Sequence, residues 1–119
     1  VPSHLALFNR TVDDVRALEP SLVPCLQICD GPLTTPASLE LPAQLPLGMT
    51  ADGSVLQVEA RALRQVPGEG EFPLAELLAA VPSGTPISVE VPNATLTARL
   101  SPVAFATRNR RGVEALHVA

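Results

Sequence analysis

A glutamate interrupts an apolar, β-favouring run at Ile87-Ser88-Val89-Glu90-Val91-Pro92-Asn93. Strands buried on both faces read as near-continuous Val, Ile and Leu, and an ionised Glu among them is costly unless a cation or hydrogen-bond donors meet it. A metal ion or a substrate hydroxyl would serve. So would a buried arginine or backbone donors. A second group lies in Leu26-Gln27-Ile28-Cys29-Asp30-Gly31-Pro32. Asp30 stands where a strand ends, which suits a catalytic or positioning carboxylate, although Asp-Gly-Pro is also a ready turn. His4 is a lone histidine, and by itself reads as structural. Arg64 precedes Pro67-Gly68-Glu69-Gly70, where a solvated helix-end cation is the ordinary reading. Arg108, Arg110 and Arg111 read as a solvated helix face. Asn93-Ala94-Thr95 matches a glycosylation sequon, a frequent chance match without secretory context.

These side chains need elements to position them. Thr11-Val12-Asp13-Asp14 has the form of a helix start, with a Thr cap and an acid three residues on. Val12, Val15 and Leu18 supply its stripe, and Glu19-Pro20 ends it. Leu22 to Cys29 reads as a strand, with Leu26 and Ile28 on one face and Cys25, Gln27 and Cys29 on the other. From Gly31 to Gly53 the chain is rich in Pro, Thr, Ala and Leu, a loop long enough for a lid or for disorder. Ser54 to Arg64 has helical spacing at Leu56, Ala60 and Leu63. Pro73 suits a first helical position, and Leu74, Leu77, Leu78 and Val81 fit the i, i+3, i+4, i+7 template. Thr85 to Val91 is the second strand, and Ser101-Pro102 opens a helix through Val103, Ala106, Val113 and Leu116.

Strands separated by helices imply parallel pairing and an α/β layer architecture. In the second strand Ile87, Val89 and Val91 share one face while Ser88 and Glu90 share the other. If helices cover the apolar faces, Gln27 and Glu90 point together to the opposite side. In a barrel that side is the interior, near the C-terminal rim where active sites form.

The chain has 119 residues, enough for one small domain. Its 46 % apolar and 17 % charged residues argue against general disorder. A net charge of −4 offers no basic footprint for nucleic acid or an anionic membrane, and no apolar run approaches the roughly 20 residues of a membrane helix. Cys25 and Cys29 on one strand would lie ~13 Å apart, beyond the ~7 Å limit for a disulfide. Two unpaired thiols fit a reducing compartment, so a cytoplasmic protein is expected. The start at Val1 reads as the start of a piece of something longer. No Gly-rich phosphate loop, nucleophile elbow, CxxC or HExxH occurs, which weakens nucleotide-binding, serine-hydrolase, redox and zincin readings.

Leu26-Gln27-Ile28-Cys29-Asp30-Gly31-Pro32, Arg64-Gln65-Val66-Pro67-Gly68-Glu69-Gly70-Glu71-Phe72-Pro73-Leu74 and Ile87-Ser88-Val89-Glu90-Val91-Pro92 together resemble the sugar phosphate isomerase/epimerase family of xylose-isomerase-like TIM barrels. His4-Leu5 followed by Thr11-Val12-Asp13-Asp14 is similar to that family's sixth-strand segment and the helix after it. The resemblance implies that residues 1–119 are the C-terminal part of a (β/α)₈ barrel, its last two or three βα units, since a whole barrel takes about 250 residues. It implies a divalent metal, Mn, Mg, Co or Zn, which orients vicinal substrate oxygens and stabilises an enediolate while acidic side chains move a proton. By the same resemblance Glu90 is a metal ligand and the catalytic residue, and Gln27 a second ligand where many members carry His. His4, Asp30, Arg64 and Glu69 are expected on the substrate side. The expected ligand is a small sugar or sugar-like molecule, with no nucleic acid or membrane partner and with self-association left open. The sequence departs from the family where its D-x-x-H aspartate falls at Val1, which cannot bind metal. A non-catalytic relative that binds a sugar or a partner without turnover is the alternative this departure favours.

Overall fold

The structure is a computed structural model that describes residues 11–34 and 64–118. Helix α1 (Val12–Arg16) starts as its sequence requires. The Thr11 hydroxyl accepts the Asp14 N–H at 3.3 Å while the Asp14 carboxylate accepts the Thr11 N–H at 2.7 Å, so two otherwise orphaned donors are satisfied reciprocally. The helix closes at Arg16, which pairs with Asp13, and a 3-10 turn over Pro20–Leu22 follows. Strand β1 (Leu26–Ile28) is therefore shorter than the run from Leu22 predicts. Pro20 and Pro24 supply no N–H to a ladder, and the turn takes the first part of the run.

Helix α2 (Leu74–Ala80) buries Leu74, Leu77 and Leu78, three of the four positions its apolar spacing selects, while Pro73 is its N-cap rather than its first residue and Val81 its extended C-cap, past the helix end. Strand β2 (Ile87–Val89) pairs in parallel with β1, Leu26 opposite Ile87, Gln27 opposite Ser88 and Ile28 opposite Val89. Helix α3 (Ala94–Arg99) is absent from the sequence expectation. Asn93, read there as part of a chance sequon, is its N-cap and accepts the Leu96 N–H at 3.0 Å. Helix α4 (Pro102–Val118) begins at the predicted proline, with the Ser101 hydroxyl accepting the Ala104 N–H at 3.2 Å.

The core gathers Ile28 of β1 with Leu74, Leu77 and Leu78 of α2. Val15, Leu26, Phe72, Ile87, Val89, Val113 and Leu116 pack around them, so α1, α2 and α4 contribute to the apolar side of the two strands. The other side presents Gln27, Ser88 and Glu90, all exposed. Strand parity thus holds as expected. His4, the loop beyond residue 34 and the helix expected from Ser54 lie outside the described residues. Arg64, expected at that helix's end, is not helical, and Gln65 after it forms an antiparallel bridge with Asp30.

Candidate functional site

Glu90 directly follows β2, and its N–H donates to the Ile28 carbonyl at 3.0 Å. This backbone bond carries the sheet pairing one residue past the strand, so the Glu90 side chain leaves from a fixed base at the C-terminal end of the two strands. The cation its sequence context calls for is Arg64. One guanidinium nitrogen, Nη1, donates to the Glu90 carboxylate and reaches the Glu90 carbonyl oxygen at 3.4 Å. Arg64 is itself held, since the Asn93 side-chain amide donates to its carbonyl at 2.9 Å. The Arg64 side chain is 20 % exposed and that of Glu90 50 %, so the pair sits at the rim with its cation on the inner side. Arg64 Nε is buried without a hydrogen-bond partner.

Gln27 shares this polar side. It lies opposite Ser88, with Glu90 two residues further on, which places the two α-carbons ~8 Å apart from strand spacing and rise. Cys29 is half-buried on the same face. Burial pushes its thiol above the usual value; the Arg64 charge opposes the shift, and Asp30 and Glu90 add to it.

Asp30 is placed differently. It is buried, and its carboxylate accepts the N–H groups of Gly31, Gly68 and Phe72, so it does not stand open on the polar face. Glu69 faces outward and is gripped by Arg108 of α4 through two bonds, Nε to Oε1 at 2.7 Å and Nη2 to Oε2 at 2.8 Å. That hydrogen-bonded pairing raises the Arg108 pKa. Gln27 and Glu90 thus share one face and Arg64 pairs with Glu90, whereas Asp30 is engaged by backbone amides and Glu69 by Arg108. Two participants give no sign of their partners in the sequence: Asn93 and Arg108 act on residues 29 and 39 positions away.

The oxygens of Gln27 and Glu90 are the hard donors that divalent cations such as Mg²⁺ and Mn²⁺ prefer. Their type fits a metal, but two donors are short of the six or so such ions take. Among the described residues no group of three or more His, Cys, Asp or Glu could hold one. They fit as part of a site that other residues would complete. Among the described residues no helix is long and apolar enough to cross a membrane. No family model, curated protein or solved structure matches the chain.

Proposed function

We propose that this chain is the C-terminal portion of a metal-dependent sugar or sugar phosphate isomerase/epimerase, a (β/α)₈ barrel completed by residues other than those described. The observation that carries this reading is the placement of Gln27 and Glu90 on one open polar face at the C-terminal end of two parallel strands, where barrel enzymes build their sites. Glu90 would supply one donor oxygen to a divalent cation and Gln27 a second, and such an ion would supply the positive charge that orients vicinal substrate oxygens. Arg64 and Glu69 bound the rim that a sugar would approach, and His4 is proposed on the substrate side from the sequence alone. The two unpaired thiols support a reducing compartment, and the cytoplasm is the proposed location.

The test uses the polypeptide carrying the complete barrel, loaded in turn with Mn²⁺, Mg²⁺, Co²⁺ and Zn²⁺. Incubated in D₂O with a panel of free and phosphorylated aldoses and ketoses, it is expected to incorporate deuterium next to the carbonyl of at least one. Glu90→Gln should slow that exchange by about a hundredfold or more, the usual weight of a positioned acid–base group. Absence of exchange with metal bound overturns the reading.

One observation favours the second reading, a non-catalytic sugar- or partner-binding relative: the Arg64 guanidinium already meets the Glu90 charge. Mn²⁺ titration followed by electron paramagnetic resonance separates the two. If Glu90 serves a metal, Arg64→Met frees its carboxylate and tightens Mn²⁺ binding. If it serves only Arg64, neither form binds.

A further inference from the structure

Asp30 is 1 % exposed, and no arginine or lysine neutralises it among the ion pairs of the described residues. Backbone amides donate to its oxygens instead. Oδ1 accepts the Gly31 N–H at 2.9 Å and the Phe72 N–H at 3.0 Å, and Oδ2 accepts the Gly68 N–H at 2.9 Å. Converging amides hold free anions in backbone nests, where the N–H groups are successive; here two distant segments supply them. Bonds to an ionised acceptor are about twice as strong as neutral ones.

The glycines of the Pro67-Gly68-Glu69-Gly70 stretch fit this purpose. Gly68, whose N–H meets Asp30, has φ +86°, a conformation that costs a side-chain-bearing residue. A Cβ on Gly70 would stand 2.3 Å from Asp30 Oδ1 and 2.6 Å from the Gly31 nitrogen, so only glycine lets the loop close over the carboxylate. The backbone of Asp30 exchanges two further bonds with Gln65, at 3.0 and 2.8 Å. Gln65 adjoins Arg64, whose guanidinium reaches Glu90.

We propose that Gly31, Gly68 and Phe72 form an anion nest occupied by the protein's own Asp30 carboxylate, and that Asp30 is a positioning residue rather than a substrate contact. It locks the Gln65–Phe72 segment onto the strand ends and so sets the Arg64 guanidinium against Glu90. The nest is independent of the chemistry performed at the rim. Emptied of its internal anion, it takes a small monocarboxylate such as formate.

The test compares the wild-type chain with Asp30→Gly and Asp30→Asn by NMR-detected amide exchange and by the Arg64 Nε–H resonance. Both variants are examined in sodium formate and in sodium chloride of equal ionic strength. In Asp30→Gly the Gly68 and Phe72 amides should exchange about tenfold faster or more, as expected for buried donors left without acceptors, and the Arg64 resonance should shift. Formate, and not chloride, should reverse both changes. Asp30→Asn keeps one acceptor and the side-chain shape, so Gly31 and Phe72 should stay protected while Gly68 loses protection. This variant decides the matter if Asp30→Gly does not fold. Wild-type exchange at Gly68 in Asp30→Asn, or formate acting no differently from chloride on a folded Asp30→Gly, overturns the nest. Faster loop exchange in a folded variant with an unmoved Arg64 resonance overturns the positioning role.

Discussion

Glu90 and Arg64 show how far a single residue can be read from its neighbours. A carboxylate in an apolar strand suggests a buried charge that needs a partner, whereas the structure leaves the Glu90 side chain half exposed with Arg64 beside it. The sequence does not announce which partner, and Arg64 arrives from 26 positions earlier. Half-exposed pairs of this kind contribute little to stability, and Arg64→Met should cost no more than about 1 kcal/mol in urea unfolding. Cys29 offers a sharper readout. Burial raises its pKa in the folded state above the 9.0 of an unperturbed thiol, so the folded protein holds this proton more firmly than the unfolded chain. The associated stability is present below pH 9 and is lost as pH rises through the higher folded value. Cys29→Ser should therefore flatten the alkaline limb of a Tm-against-pH curve, and iodoacetamide should label native Cys29 more slowly than the urea-unfolded chain at pH 8. Equal labelling rates would remove this account of its environment.

Among the elements, α2 and α4 were legible because seven and seventeen residues are long enough for a stripe or a capped start to stand out. Helix α3 was not. Its six residues, Ala94-Thr95-Leu96-Thr97-Ala98-Arg99, carry one large apolar side chain and so no stripe, and its one signal, the Asn93 cap, also matches a sequon. The strands were placed correctly in face and too generously in length, since composition does not reveal where a partner strand stops. Packing between elements turns on positions without side chains. On α4, a Cβ added at Gly112 would lie 2.3 Å from the Pro67 carbonyl oxygen, so Gly112→Ala should push the helix off the loop. A cost of about 1–3 kcal/mol is expected for such overpacking, accompanied by weakening of the Arg108–Glu69 pair. Leu77→Ala, in the core of α2, should cost about 2–4 kcal/mol by thermal or urea unfolding. An effect below about 1 kcal/mol would mean that α2 does not carry the core.

At the scale of the molecule, the described residues place only two strands of three residues side by side, whereas parallel strands ordinarily sit in larger sheets covered on both faces. Beside β2 a groove of about 470 Å³ is lined by Ile87, Val89, Val91, Phe105 and Val113, with Asn109 at its wall. That opening should bind the apolar dye ANS under native conditions. Ala106→Glu, a change in the same groove on an exposed helix position, should abolish the fluorescence and leave the far-ultraviolet circular dichroism unchanged. Residue types and their periods marked two strands with helices between and after them, the faces of both strands and the helices at residues 74 and 102, because burial and capping act over a few neighbouring positions. Only the tertiary structure decided that Asp30 turns inward to the amides of a loop some forty residues away, that Glu69 answers to Arg108 and that Glu90 answers to Arg64. The physical reason is the same in each case. Hydrogen bonds and ion pairs are made by whichever groups the fold brings within about 3 Å, and sequence separation carries no record of that distance.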